Sequence, residues 1–151
     1  EGIPLLFACQ WSVARTGDEG LGDAYVFLRR LERAHEQWGS PETDACLSEG
    51  RGSVALAEGH HREAVGFFRH AVARWGEMGR PYDQARALSS LGKALHGLED
   101  REAAGVAFDQ ALDLYDALAA QLDGVDLKQS FLDSQPVREA SKAREALQTP
   151  G

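Results

Sequence analysis

The chain reads PYDQARALSSLGKALHGLEDREAAGVAFDQAL from Pro81 to Leu112. Small and large apolar residues recur in it at spacings of three and four, on both sides of a short polar break. This spacing is typical of two amphipathic helices joined by a turn. The sequence therefore predicts one helical hairpin in this stretch.

The same pattern recurs earlier in the chain. The separation between Ala64 and Ala104 is the period of this repeat. The positions that coincide under this shift are small or aromatic: Gly52 with Gly92, Ala64 with Ala104, Phe68 with Phe108, and Ala71 with Ala111. The junctions Gly39-Ser40-Pro41 and Gly79-Arg80-Pro81 coincide as well, and a weaker third copy has Ala24, Leu28 and Leu31 in its apolar slots. Self-similarity at a fixed period indicates stacked repeats, each of which is one pair of helices.

Three hairpins follow from this period, at about residues 4–38, 41–78 and 81–119. A closing segment is predicted at about 126–147 and a short tail at 149–151. Stacked hairpins leave an apolar face at the end of the array, so the last helices are expected to cap it. The predicted fold is all-α, a right-handed α-solenoid of about three hairpins plus C-terminal capping helices, in a single domain of residues 1–148.

The composition narrows the class of protein. At 151 residues and 43% hydrophobic content, the chain can bury a continuous core without disulfides. A formal net charge of −8 argues against binding to nucleic-acid backbones, which requires a surplus of lysine and arginine. Two cysteines, Cys9 and Cys46, are too few for a disulfide framework and predict reduced thiols in a cytoplasmic protein. The chain opens on Glu1 and an apolar turn, from which we expect a segment of a longer protein.

The repeated small and aromatic positions resemble the packing positions of the tetratricopeptide repeat. They are Gly52, Ala64, Phe68 and Ala71, and the same residue types occupy them one period later. The unit is longer than usual, and the stretch from Gly79 to Gly92 is similar to the long-unit arrays of bacterial LuxR-type and MalT-like transcriptional regulators and of cyclase-associated ATPases. The tryptophan expected early in the unit is replaced by Ser48 and Leu88. In those families the array is a regulatory or sensor module, and hydrolysis and DNA binding belong to other domains. The resemblance implies a non-catalytic module that binds a protein partner, a peptide or a small effector.

The same resemblance implies that the first helix of each hairpin lines a concave groove. The groove positions carried over from it are Cys46, Glu49, Ser53 and Leu56 in the second unit, and Arg86, Ser89, Lys93 and His96 in the third. Their spacing of three, four and three places each set on one helical face. Arg86, Lys93 and His96 form a basic stripe that is suited to a carboxylate of a partner peptide or to an anionic effector, although an ordinary solvated face has the same composition.

Several residue types favour structure over chemistry. The five histidines lack the spacing of a zinc helix, so surface or capping roles are expected and neither a metal nor a cofactor is predicted. Aromatic and sulfur side chains near the ends of the second helices are expected to seal the packing between repeats: Trp38, Trp75, Met78 and Tyr115. Trp11, in the first helix, is expected in the core. Nothing in the sequence assembles a nucleophile, a base and an orienting group, so no enzyme is predicted. An oligomerisation scaffold that pairs through the array ends is the alternative function.

Overall fold

A computed structural model describes residues 2–14 and 18–148, and its regular structure is entirely helical. Within these residues eight helices follow one another: α1 Gly2–Ala14, α2 Asp18–Trp38, α3 Pro41–Ala57, α4 His61–Glu77, α5 Pro81–Gly97, α6 Arg101–Ala120, α7 Val125–Leu132 and α8 Gln135–Ala146. No strand occurs in this part of the chain, which confirms the predicted all-α class. The predicted tail, 149–151, lies outside the described residues.

The helix boundaries repeat with the period of the sequence. Helices α3 and α5 begin one period apart and end one period apart, and α4 and α6 also begin one period apart. Gly39 and Gly79 lie in the left-handed region at φ of 58° and 66°, a conformation that costs glycine little. Each is followed, after one spacer residue, by the proline that opens the next helix. The glycine, spacer and proline therefore set where each hairpin ends and the next begins.

Two glycines let the helices of a hairpin approach closely. A Cβ atom placed on Gly52 would lie 2.7 Å from Cε1 of Phe68, and one placed on Gly92 would lie 2.7 Å from Cε1 of Phe108. The two phenylalanines are buried, at 0% and 1% exposure. Glycine costs roughly 1 kcal/mol relative to alanine inside a helix. In α3 and α5 that cost is offset because each aromatic ring packs directly on the glycine backbone.

Adding a methyl group at either glycine is therefore expected to destabilise the fold. Gly52→Ala and Gly92→Ala should each lower the free energy of unfolding by about 1–3 kcal/mol, because the ring must shift. Gly66→Ala is the matched control, since nothing lies within 4 Å of a Cβ at that position of α4. It should raise the free energy of unfolding by about 0.5–1 kcal/mol. Urea denaturation measures all three, and equal stability of Gly52→Ala and Gly66→Ala would contradict the packing described.

Burial of the large aromatic side chains depends on their position in the repeat more than on their residue type. Trp75 and Tyr115, which are one period apart, are both fully or almost fully buried, as predicted. Trp38 is 59% exposed, so its predicted role in sealing the repeats is wrong. The counterpart of Trp75 one period earlier is His35, whereas Trp38 corresponds to the half-buried Met78. The tryptophan thus stands beyond the buried slot, almost one helical turn further along α2.

The first helix differs from the prediction in which face it buries. Helix α1 buries Leu6, Cys9 and Ser12, whereas Trp11 is 65% exposed and not in the core. Because α1 is apolar nearly all round, its sequence pattern does not mark one face for burial. Helix α1 packs against α2 and α3, and α8 packs against α6 and α5. These contacts bring α1, α3, α5 and α8 to the lining of one cavity.

Candidate functional site

An open groove with a cavity of about 680 Å³ runs along the first helices of the hairpins. Residues of α1, α3, α5 and α8 line it, with single side chains of α4 and α6 at its base. Its aromatic lining residues are Phe7, Trp11, Phe68, Tyr82 and Tyr115. Its polar lining residues are Gln10, Ser53, Arg86, Ser89, Ser90, Lys93, Gln135 and Glu139. The volume falls in the range of about 300–1,000 Å³ that ligand clefts occupy.

The structure places the sequence-predicted groove residues in three different environments. Ser53, Leu56, Arg86, Ser89 and Lys93 line the cavity. Cys46 and Glu49 have 0% exposure, which corrects the expectation that their side chains face an open groove. His96 is exposed in the last turn of α5 and does not belong to the cavity lining. The spacing of these residues thus indicates a helical face but not how far along the helix the groove extends.

Glu49 is a buried carboxylate that three side chains from three other helices satisfy. Its Oε1 accepts a hydrogen bond from Nε1 of Trp75 at 2.6 Å, and its Oε2 accepts one from Nε2 of Gln10 at 3.0 Å. Arg86 donates through Nη2 to Oε1 at 2.8 Å and through Nε to Oε2 at 2.9 Å. This two-pronged geometry is the strongest arrangement of a guanidinium and a carboxylate. Glu49 therefore joins α1, α3, α4 and α5 beneath the groove.

Arg86 is neutralised within the protein. Its Nη1 donates to Oδ1 of Asp83 at 2.6 Å, in addition to the two bonds to Glu49, and its side chain is 15% exposed. Burial acts to lower the pKa of the guanidinium, but the bonds and charges of Glu49, and then of Asp83, outweigh burial and raise it. Asp83 is shared with Arg80, whose Nε donates to its Oδ2 at 2.9 Å, so Glu49 and part of the charge of Asp83 compensate Arg86. This corrects the view of Arg86 as part of a free basic stripe.

The guanidinium of Arg86 also serves as a stacking surface. Its Cζ lies 5.2 Å from the ring centroid of Phe7 and 5.8 Å from that of Trp75. Cation–π contacts of this kind contribute about 0.5–2 kcal/mol, depending on how far water is excluded. Because Phe7 belongs to α1 and Gln10 reaches both Glu49 and Oγ of Ser53, this network holds the α1 wall over the groove floor.

A cluster of three aromatic rings supports the other side of the groove. The ring centroids of Tyr82, Tyr115 and Phe131 lie 6.0, 6.1 and 6.4 Å apart in pairs, with the tilted and edge-on geometries that aromatic pairs prefer. Burial, and then the neighbouring Tyr82, raises the pKa of the Tyr115 hydroxyl to about 12. Tyr115 is therefore neutral at physiological pH. The cluster joins α5, α6 and α7.

Lys93 is the exposed cation of the groove. It makes no ion pair with any residue in the described part of the chain. Glu139 lines the opposite wall, where its Oε1 accepts a hydrogen bond from Nε2 of Gln135 at 2.9 Å. The groove thus combines aromatic and uncharged polar side chains with one accessible positive group, on α5, and one negative group, on α8.

The cysteines lie beside the groove network but inside the core. Burial raises the pKa of the Cys9 thiol to about 11, and burial together with the charges of Glu49 and Glu42 raises the pKa of Cys46 to about 12. Both groups are fully buried. Thiols of this kind are inert, because the thiolate is the reactive form.

We expect the native protein to react with a thiol reagent such as dithionitrobenzoate far more slowly than the denatured protein. At pH 8 the raised pKa values alone reduce the thiolate fraction by more than about a hundredfold relative to an ordinary cysteine. Burial slows the reaction further. Absorbance at equal reagent concentration measures the rate in each state. Comparable rates in native and denatured protein would show that the thiols are not buried.

The described residues contain neither a metal-binding cluster nor a membrane-spanning helix. Within 2–14 and 18–148, no group of three histidine, cysteine or acidic side chains is placed to hold a metal ion. None of the helices there combines the length and the hydropathy needed to cross a bilayer. Comparison of the chain with protein-family models, with curated proteins and with solved structures gives no match.

Proposed function

We propose that the chain is a non-catalytic binding module whose groove holds a segment of a protein partner or an effector. The observation that carries the proposal is the exposed aromatic lining: Trp11 is 65% exposed and Phe7 is 46% exposed, and both face the cavity. Large apolar side chains left open in a concave, preformed site are typical of ligand clefts and interface hot spots. The guanidinium of Arg86, which Glu49 holds through two hydrogen bonds, lies 5.2 Å from the ring centroid of Phe7 and so supports part of this lining.

The repeated helix pairs support the tetratricopeptide-like assignment that the sequence suggests. On that assignment the module is the regulatory or sensor region of a larger bacterial transcriptional regulator or signalling ATPase, located in the cytoplasm. The groove would then report the presence of a partner or effector to domains that do the chemistry. Neither catalysis nor direct nucleic-acid binding by this segment is part of the proposal.

Selection from a random dodecapeptide display library tests the binding function. The immobilised wild-type protein should enrich a family of related peptides over bare resin, and Trp11→Ala should bind members of that family at least about tenfold more weakly. Val26→Ala is the matched control, because Val26 is 53% exposed on α2 and is not part of the cavity lining. An enriched family that binds Trp11→Ala and wild type equally would contradict the groove as the binding surface.

Oligomerisation is the second candidate function, and exposed apolar residues of α2 favour it. Val26 is 53% exposed and Trp38 is 59% exposed, and neither residue lines the groove. Light scattering decides between a monomer and a dimer. A dimeric wild type that becomes monomeric in Trp38→Ala would support an oligomerisation scaffold. A monomeric wild type would contradict the scaffold function.

A further inference from the structure

Helix α2 carries a stripe of positive charge. Arg29, Arg30 and Arg33 are exposed, and none of the three makes an ion pair with any residue that the structure describes. Arg33 shares a side of the helix with each of the other two, because residues three and four apart are neighbours there. The acidic residue between them, Glu32, pairs instead with Arg51 of α3 at 3.6 Å. On a chain whose formal net charge is −8, this concentration of cations favours an anionic partner.

Helix α6 carries a stripe of negative charge. Glu102, Asp109 and Asp113 are exposed at spacings of seven and four, which places them on one side of the helix. Glu102 and Asp113 have no ion pair within the described residues. Asp109 pairs with Arg144 of α8 at 2.8 Å, but its side chain is still 54% exposed. This side of α6 therefore retains uncompensated negative charge.

The two stripes occupy the same positions of the repeat. Two periods separate the residues of each of three pairs: Val26 and Val106, Arg29 and Asp109, and Arg33 and Asp113. The valines are 53% and 52% exposed, whereas the charge changes sign in the other two pairs. Laid side by side in the same direction, α2 and α6 therefore bring valine to valine and arginine to aspartate. The match ends one turn later, where both helices have an acidic residue, Glu36 and Asp116.

A second copy of the chain offers the matching surface. Pairing α2 with α2, or α6 with α6, would set like charges against each other, which disfavours both arrangements. Pairing α2 with α6 sets opposite charges together and buries both valines. Copies related by a two-fold axis form this contact twice, which raises the buried area toward the roughly 1,200–2,000 Å² of stable interfaces.

We infer that the chain forms a two-fold dimer in which α2 of each copy packs along α6 of the other. Val26 packs on Val106 of the second copy, and Arg33 pairs with Asp113 of the second copy. The inference rests on oligomerisation, the second candidate function, and assigns its surface and its geometry. It leaves the groove open, because none of these four residues lines the cavity.

An exchange of charges between the two stripes tests the dimer. Light scattering over a dilution series gives the dissociation constant of the wild type, of Arg33→Glu, of Asp113→Arg, and of an equimolar mixture of these two variants. The wild type should be dimeric. Each variant alone should have a dissociation constant at least about tenfold higher, because it sets like charges together. The mixture should return to within about threefold of the wild type, since the two reversed residues then attract each other and the unaltered stripes meet as before.

Two further variants control for the change in net charge. Lys128→Glu and Asp123→Arg make the same charge reversals at exposed positions that belong to neither stripe. Both should dissociate within about twofold of the wild type. The recovery in the mixture also shows that the two stripe variants are folded.

The outcomes separate the inference from the function on which it rests. A monomeric wild type contradicts both the dimer and oligomerisation. A dimer that neither stripe reversal weakens forms through another surface, such as the one that contains Trp38, and overturns the inference alone. The inference is equally wrong if the two variants stay monomeric when they are mixed, or if a control dissociates as readily as its matched variant. Peptide binding by the groove is measured separately and does not depend on any of these results.

Discussion

Glu49→Ala is expected to lower the free energy of unfolding by about 3–5 kcal/mol, because it breaks a buried ion pair from one side. The substitution removes the acceptor of four hydrogen bonds. It leaves the indole N–H of Trp75 without that bond and Arg86 with only Asp83 to compensate its charge. Guanidinium chloride denaturation monitored by circular dichroism measures the loss.

Glu145→Ala is the control for the loss of an acidic side chain, since Glu145 is exposed on α8, and it should change stability by less than about 0.5 kcal/mol. A double variant, Glu49→Leu with Arg86→Met, should be more stable than the sum of the two single losses predicts, because it leaves no unpaired charge at the site. Additive losses would show that the two side chains do not depend on each other.

Phe108→Ala is expected to cost about 3–5 kcal/mol, which is typical of emptying a fully buried aromatic site. The ring is 1% exposed and lies directly on the backbone of Gly92, so its removal leaves a buried cavity. Because Phe68 occupies the same slot one period earlier, Phe68→Ala should cost a similar amount. Thermal and denaturant unfolding provide the comparison.

The contact itself can be separated from the size of the cavity. In a Phe108→Leu background, the smaller side chain leaves room for a methyl group, so Gly92→Ala should be less harmful there than in the wild type. Phe131→Ala is the control, because that ring is only half-buried, and it should cost less than Phe108→Ala. Equal penalties for Gly92→Ala in both backgrounds would disprove the close approach of the ring.

The hairpins could be predicted from the sequence because backbone chemistry fixes their ends. Gly39 and Gly79 adopt a left-handed conformation, and the prolines that follow have a fixed φ, so a pattern of a few residues decides where a helix stops and starts. The turn geometry even survives a change of residue, since Gly59 and Glu99 are one period apart and both have positive φ. Short-range signals of this kind need no tertiary information.

The orientation of α1 could not be predicted, because amphipathicity marks a face only when polar residues occupy the other one. An uncharged helix with apolar residues on every side has no such contrast. Its contacts with α2 and α3 decide which residues are buried. The exposed stripe that contains Trp11 is therefore a property of the assembled fold.

The Glu49–Arg86 pair escapes prediction for a different reason. Both residues occupy slots that are expected to face a groove, where polar residues ordinarily meet solvent or a ligand. Their counterparts one period away are Ser89 and Cys46, so the charges do not repeat although the slots do. When the sequence is compared with itself one period away, these two positions stand out, because each unit has a charge, of opposite sign, where its neighbour has an uncharged residue. The further bonds from Gln10 and Trp75 depend on α1 and α4 and have no such signal.

The most direct test of the account is to map a selected peptide onto the protein by amide chemical shifts in nitrogen-15-labelled protein. The account predicts shifts along the groove, at Gln10, Trp11, Ser53, Ser89 and Lys93. It predicts none on the outer faces of α2 and α4, at residues such as Arg33 and Arg69. Shifts that cluster on those outer faces, with the groove unchanged, would contradict the claim that the groove is the binding surface.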